Sequence, residues 1–202
     1  MKRMLARIDI RNSASNFTVE EVYLANYNTI GYIAPAWDAD GKPEDPAPDA
    51  PNLPADGGKK TEEGDAILYS VDGSTPYNGE IYTFEAPAAV DAGGVGQDGA
   101  LSRKDAVCLI VKGKIGDGKS TFYRVDFTKT GEIGEDVEYL SLKRNYKYII
   151  TVTEASGIGY ESFREALASY TVMSNLKFRL IHYDRDMVKD VVYNGQYMLG
   201  VG

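Results

Sequence analysis

The chain has 202 residues, 43% of them hydrophobic, and a formal net charge of −8, which is ordinary for a soluble globular protein with one large or two small domains. No lysine–arginine run is present, so no nucleic-acid partner is expected. The 15 tyrosines favour β-strands, because aromatic side chains fit a pleated, half-buried surface.

Two strands are predicted before residue 35. In "KRMLARIDI" the apolar side chains recur at every second position, as they do on one face of a strand. These residues are Met4, Ala6, Ile8 and Ile10. The turn-rich "RNSASN" follows, and "FTVEEVYLANY" has the β-branched and aromatic composition of a second strand.

Residues 35–66 form an acidic, proline-rich stretch without periodicity, which predicts an exposed loop or linker. From Asp38 to Asp65, nine acidic residues and three lysines leave a charge of −6. "DADGKPEDPAPD" begins like an EF-hand loop, but Gly41 stands in the fourth place instead of the sixth, so no calcium site is expected. We predict that residues 1–67 are the end of an incomplete N-terminal β domain plus this loop.

Short strands at regular spacing follow, bounded by glycine, aspartate or asparagine. They are "AILYSV", "GEIYTFEA", "DAVCLIVKG", "STFYRVDF", "EYLSL" and "NYKYIITVTEA". This pattern predicts an all-β fold, with a β-sandwich domain over residues 68–170. "YESFREALASY" predicts one short helix, because its apolar residues share a helical face. Cys108, the single cysteine, lies inside an apolar run and is interpreted as a small buried hydrophobe.

The stretch "GKIGDGKS", residues 113–120, fits the phosphate-binding pattern G-x-x-x-x-G-K-[ST]. A phosphate-binding loop requires a helix after it, because the helix N-terminus holds the anion. Here the following "TFYRVDF" alternates with period two, as a strand does. We therefore predict a hairpin tip, with glycines at turn positions and Lys119 in solvent.

Residues 171–202 return to strand character and predict a C-terminal strand extension. His182, the single histidine, falls on the same predicted face as Leu176, Phe178 and Leu180, which favours packing over catalysis. No nucleophile elbow or metal-ligand spacing occurs, so no enzyme activity, cofactor or metal is expected. No apolar stretch approaches the roughly 20 residues of a spanning helix, so no membrane insertion is expected.

Aromatic side chains near the N-terminus leave a carbohydrate-binding platform open as an alternative, since tyrosine and tryptophan rings stack on sugars. The candidate stacking residues are Tyr23, Tyr27, Tyr32 and Trp37. Strand packing is the competing interpretation.

Three motifs together resemble the signature of the Bacteroidales fimbrillins, the pilins of type V pili: a Y-R-V-D strand, an R-N-x-x-Y strand and a G-x-G-Y turn. They correspond here to Tyr123, Arg124, Val125 and Asp126; to Arg144, Asn145 and Tyr148; and to Gly157, Gly159 and Tyr160. "LARIDI", "NFTVEEVYLANYNTIGYIAP" and "NGQYMLGV" also look like stretches of that family, so the likeness covers most of the chain outside the acidic loop.

The resemblance implies a transthyretin-like β-sandwich subunit, exported as a lipoprotein and trimmed by a protease, with a groove that a neighbouring subunit's strand fills. Only two strand candidates precede the acidic loop, so a fragment or a processed chain is expected. The resulting prediction is a structural subunit or adhesive component of a cell-surface fimbria, attached to the outer membrane as a precursor. Its expected partners are other fimbrial subunits, with host or bacterial surface ligands as further candidates. The predicted donor-strand residues are Val191, Tyr193, Tyr197, Leu199 and Val201.

Overall fold

The computed structural model describes residues 4–32, 59–60, 66–70, 77–90, 101–128, 138–169 and 175–184. The described residues are mostly strands. In chain order these are β1 (Ala6–Asn12), β2 (Phe17–Ala25), β3 (Tyr27–Asn28), β4 (Lys59–Lys60), β5 (Ile67–Ser70), β6 (Tyr77–Thr83), β7 (Ala89–Val90), β8 (Leu101–Ser102), β9 (Cys108–Ile115), β10 (Thr121–Asp126), β11 (Tyr146–Ala155) and β12 (Leu176–Asp184). A 3-10 turn (Arg103–Asp105) and a short helix, α1 (Phe163–Ala168), complete them.

Two four-stranded sheets make up the sandwich. The first sheet has the order β12-β11-β1-β6, and the second sheet has the order β10-β9-β2-β5. Within the first sheet β1 runs parallel to β11, whereas every pairing in the second sheet is antiparallel. One buried cluster takes side chains from both sheets, including Ile8, Val22, Leu109 and Ile150. The prediction of an all-β sandwich with one short helix is therefore confirmed.

Strand β1 forms because its sequence alternates. Ala6, Ile8 and Ile10 are buried and belong to the central cluster, as the period of two predicts. The opposite face of β1 carries Arg7 and Asp9, whose ion pair is described below. The two sheet faces are thus distinguished by residue parity alone.

The strands before the acidic loop lie inside the sheets. Strand β1 pairs with both β11 and β6, and strand β2 pairs with both β9 and β5. The strands that the sequence placed at the end of an N-terminal domain therefore share a core with those of the predicted C-terminal domain. Strand β12, from the predicted C-terminal extension, pairs with β11 along nine register positions and belongs to the same sheet.

Helix α1 covers the outer face of the second sheet. Its N-cap is Ser162, whose Oγ accepts a hydrogen bond from the backbone N–H of Glu165 at 3.2 Å, a standard way to satisfy a free N–H at a helix start. Phe163 and Ala166 are buried in a second cluster. The other buried members are Tyr23, Ala25, Cys108 and Ile110. The predicted helix is confirmed.

The stretch "EYLSL" is not a regular strand. Tyr139 and Leu142 each form only an isolated bridge, to Thr128 and Ala86 respectively. The composition of this stretch favours an extended backbone, but a regular strand also needs a partner strand that stays in register over several residues.

Candidate functional site: the sheet edges

The sandwich has four outer strands, and these are the candidate assembly surface. They are β12 and β6 in the first sheet, and β10 and β5 in the second sheet. An edge strand presents a row of unpaired N–H and C=O groups, which a strand from another chain can pair with. The residues that cover or expose each edge therefore decide where a strand can be added.

The edge of β10 is occupied by the turn Gly157–Tyr160. Phe122 and Tyr160 exchange two backbone hydrogen bonds, with N···O distances of 2.9 and 2.8 Å. The turn approaches so closely that a Cβ on Gly159 would lie 2.5 Å from the Phe122 carbonyl oxygen. Only glycine fits this position without displacing the backbone, which gives the G-x-G-Y motif a physical role as a cover for this edge.

The other three outer strands pair with no further strand among the described residues. Among its described side chains each has a large exposed hydrophobic one: Leu68 on β5 is 50% exposed, Tyr82 on β6 is 40% exposed and Ile181 on β12 is 51% exposed. Such an edge offers a partner both backbone hydrogen bonds and apolar contact. In the described part of the chain, β5, β6 and β12 are therefore the strands at which addition is geometrically possible.

The Y-R-V-D motif builds a buried charge cluster beneath helix α1. Asp126 accepts hydrogen bonds from Arg124 Nε at 2.7 Å and from Arg103 Nε at 2.8 Å. Arg124 also donates to the backbone carbonyl of Leu167 at 2.5 Å, and Arg103 donates to that of Ser169. Cations near the last carbonyls of a helix are favourable, so the cluster fastens the end of α1 to the sheet.

The R-N-x-x-Y motif shapes the turn that enters β11. Arg144 forms a buried ion pair with Glu85, with Nε–Oε2 at 2.7 Å, and Asn145 has a φ of 67°, a left-handed conformation that asparagine tolerates. The Tyr148 hydroxyl accepts from the Lys143 N–H and donates to the Ser141 carbonyl, both at 2.9 Å. Burial raises the pKa of Tyr148, so this hydroxyl stays protonated and keeps its donor.

The stretch "GKIGDGKS" is the tip of the β9–β10 hairpin, as predicted. Strand β9 ends at Ile115 and β10 begins at Thr121, with Gly116 at a φ of 52° and Gly118 N–H bonded to the Ile115 carbonyl at 2.9 Å. A strand, not a helix, follows Ser120. The helix N-terminus that a phosphate-binding loop uses is therefore missing at this place.

Of the predicted sugar-stacking residues, the structure describes Tyr23, Tyr27 and Tyr32, which differ in exposure. Tyr23 is 9% exposed and packs edge-on against Phe163 with ring centroids 5.3 Å apart, because helix α1 covers that face of β2. Tyr27 is half-buried against the core, and Tyr32 is 44% exposed. Trp37 lies outside the described residues.

Two further predictions concern single residues. Cys108 is fully buried, and burial raises its pKa to about 11, which confirms a packed thiol. His182 is half-buried and stacks on Tyr148, with ring centroids 6.0 Å apart, so its predicted place on the inner face of β12 is confirmed.

The predicted donor-strand residues lie outside the described residues. They are Val191, Tyr193, Tyr197, Leu199 and Val201. Most of the acidic loop also lies outside the described residues. The exceptions are Ala66 and the two residues of β4, Lys59 and Lys60, which pair with β3. The donor-strand assignment stays a prediction.

Sequence reasoning missed the charged partners that complete the buried clusters, namely Glu85, Arg103 and Asp9. Each is at most 3% exposed, and each pairs with a cation or carboxylate on another strand or turn. Their local sequence carries no signal for this, because the pairing depends on strands distant in the chain.

Within the described residues, no group of three or more His, Cys, Asp or Glu side chains could hold a metal ion. None of the helical segments in that part of the chain has the length and apolar character needed to cross a membrane.

Among solved structures, the chain is similar to the tip fimbrial protein Mfa3 of Porphyromonas gingivalis with a C-terminal truncation: 11% identity, TM-score 0.49, covering 91% of this chain and 52% of that one. It is also similar to a "putative cell adhesion protein" from Bacteroides eggerthii, with 18% identity, TM-score 0.44, and 90% and 56% coverage. A third, with the same description, comes from Parabacteroides distasonis, with 18% identity, TM-score 0.43, and 90% and 52% coverage. The chain thus spans about half the length of these structures. No protein-family model and no curated protein matches it.

Proposed function

We propose that the chain is a non-enzymatic structural subunit or adhesive component of a bacterial cell-surface fimbria, assembled by strand addition between subunits. The observation that supports the proposal is that one outer strand, β10, is covered by a turn, whereas the other three outer strands are not paired further among the described residues. Two backbone hydrogen bonds and a glycine that tolerates no Cβ close β10. Strands β5, β6 and β12 have no outer strand partner among the described residues. The residues that close β10 belong to the fimbrillin-like motif.

Strand addition to such an edge is favourable for two reasons. The added strand satisfies backbone groups that otherwise need water, and it covers apolar side chains such as Leu68 or Ile181, which are about half exposed. The proposed donor is the alternating segment 191–201 of a neighbouring subunit. Its partners are then other fimbrial subunits at the cell surface, from a precursor attached to the outer membrane, and surface ligands where the subunit acts in adhesion.

The test is the dependence of assembly on the donor segment. Purified chain is incubated under conditions in which it polymerises, and the size of the products is followed by light scattering and electron microscopy. A variant that lacks residues 191–202 is expected to remain small, because it has no strand to donate.

A matched control keeps the length, composition and charge of residues 191–201 but scrambles their order, so that the apolar residues no longer alternate. This control is also expected to lose assembly, because only one face of an added strand meets the sheet. If the deleted or scrambled chain polymerises like the original, the donor assignment is wrong.

A further inference from the structure

The outer face of the first sheet differs from that of the second. On the second sheet, helix α1 packs against β9 and β10. On the first sheet, the outward residues of β1, β11 and β12 include Arg11, Arg179 and Ile181, all exposed. We call this surface the basic face; its described members include Arg7, Asp9 and Arg11 on β1, Lys147, Ile149, Thr151 and Glu154 on β11, Lys177, Arg179 and Ile181 on β12, and Tyr82 on β6.

One end of the basic face holds a pair of cations around a single carboxylate. Asp9 is 1% exposed because Arg7 Nε lies 2.9 Å from its Oδ1 and Lys147 Nζ lies 2.5 Å from its Oδ2. Arg7 and Lys147 are direct cross-strand neighbours. Two cations against one anion leave an excess positive charge at this end.

The other end of the basic face holds two more cations. Arg11 and Arg179 flank Thr151 in one row across β1, β11 and β12, which places their Cα atoms about 10 Å apart, since neighbouring strands are separated by roughly 4.8 Å. Neither guanidinium has a hydrogen bond or an ion pair with a described residue. Lys177 and Glu154, beside Arg179, pair with each other; counting all five cations against Asp9 and Glu154, these described side chains carry a charge of +3.

Apolar groups lie between the two charged ends. Ile149 pairs directly with Ile181, and Ile181 is 51% exposed. A ligand suited to this face is therefore extended, carries several carboxylates and has some apolar groups. The cations lie in two separate rows, Arg7 with Lys147 and Arg11 with Arg179. An acidic polypeptide matches this spacing better than a compact anion does, because the carboxylates of a polypeptide are spaced along its backbone.

The same chain contains a segment with this chemistry. Residues 38–65 carry a charge of −6 out of a total of −8, and they include the apolar Leu53 among prolines and acidic residues. Charge complementarity of this kind orients two surfaces and speeds their association. We propose that the basic face binds the acidic segment 38–65 of a second copy of the chain.

The described strands next to or within the segment, β3 and β4, lie far from Arg11 of the same chain, and the choice of a second copy as occupant rests on the proposed function, which brings copies of the chain together. Strand β3 ends at Asn28, before the segment begins, and β4, which pairs with β3, lies within the segment at Lys59–Lys60; β3 directly follows β2 of the second sheet. Arg11, by contrast, lies next to the β1–β2 connection, at the opposite end of β2, whose nine residues span about 30 Å. The contact uses side chains on a sheet face, whereas the proposed strand addition uses backbone groups at an edge.

The experiment measures self-association of the full chain by sedimentation at several concentrations, at about 0.02 M and about 0.5 M salt, which shortens the screening length several-fold. The original chain is expected to show a salt-dependent part of its association, present at low salt and lost at high salt, whereas strand addition, which uses backbone hydrogen bonds, persists at both. The double variant Arg11→Glu, Arg179→Glu is expected to raise the dissociation constant about tenfold or more. The matched control Lys104→Glu, Lys119→Glu makes the same change in net charge at exposed residues off the face and is expected to associate like the original.

A charge exchange tests the second-copy assignment. The variant Asp45→Lys, Asp49→Lys is expected to lose the salt-dependent part of its self-association, and mixing it with the Arg11→Glu, Arg179→Glu variant is expected to restore salt-dependent association between the two. A monomeric original chain at low salt, equal effects of the face variant and its control, or no rescue on mixing would each overturn the proposal. Since deletion of residues 191–202 leaves this contact intact, failure of strand addition is distinguishable from failure of the basic face.

Discussion

Substitution of Gly159 by alanine tests the claim that a close approach of backbones seals the edge of β10. The added Cβ would lie 2.5 Å from the Phe122 carbonyl oxygen and 3.0 Å from the Tyr123 ring. Either the turn moves away and two backbone hydrogen bonds are lost, at about 1 kcal/mol each, or it stays and is overpacked, at about 1–3 kcal/mol. The protein adopts the cheaper alternative, so we expect a loss of about 2 kcal/mol in the free energy of unfolding.

The matched control is Gly157→Ala in the same turn. There the three atoms nearest to an added Cβ all belong to the Asn175 side chain, at 2.9–3.1 Å. That side chain can move aside at the cost of one exposed hydrogen bond, to the Ile158 carbonyl. Both substitutions reduce the entropy of the unfolded chain by the same amount, about 0.4–1 kcal/mol, so this effect cancels in the comparison. Urea denaturation of the two variants is expected to differ by about 2 kcal/mol, or about 4–8 °C in Tm. Equal stabilities would refute the role assigned to Gly159.

Three further predictions concern buried charge, the thiol and the hairpin. Glu85→Gln leaves the buried Arg144 guanidinium without a counter-charge and is expected to lower the free energy of unfolding by about 3–5 kcal/mol in urea denaturation. Glu154→Gln, in an exposed ion pair, is expected to lower it by less than about 1 kcal/mol. Equal losses would contradict the burial argument. Burial raises the pKa of Cys108 from 9.0 to about 11. The contribution of the protonated thiol to the free energy of unfolding is therefore complete below pH 9, and about 3 kcal/mol is lost as the pH rises towards 11. Cys108→Ala should flatten this part of the pH profile of stability, and rapid labelling of the thiol in the folded chain would contradict its burial. Millimolar ATP with Mg²⁺ is expected to leave Tm unchanged, and a shift that Lys119→Ala abolishes would restore the phosphate-loop interpretation.

The candidate site divides into a part that was predictable and a part that was not. The motif residues of β10, of the turn before β11 and of the turn Gly157–Tyr160 stand out in the sequence, but their partners do not. Arg103 is 23 residues from Asp126, and Glu85 is 59 residues from Arg144. Such pairs form only when separate strands come together, so neither local periodicity nor composition contains them.

Period-two alternation was sufficient to identify β1, β10 and β11, because burial of one sheet face is imposed on each strand by its own residues. The same local reasoning identified the β9–β10 hairpin and rejected a phosphate loop, since the residues after Ser120 alternate. The position of β1 between β11 and β6, and the cover that Gly159 and Tyr160 place over β10, were decided by tertiary structure. These features depend on the register between segments that are distant in the chain. The free energy of pairing comes from contacts between two segments, so the sequence of one segment does not predict it.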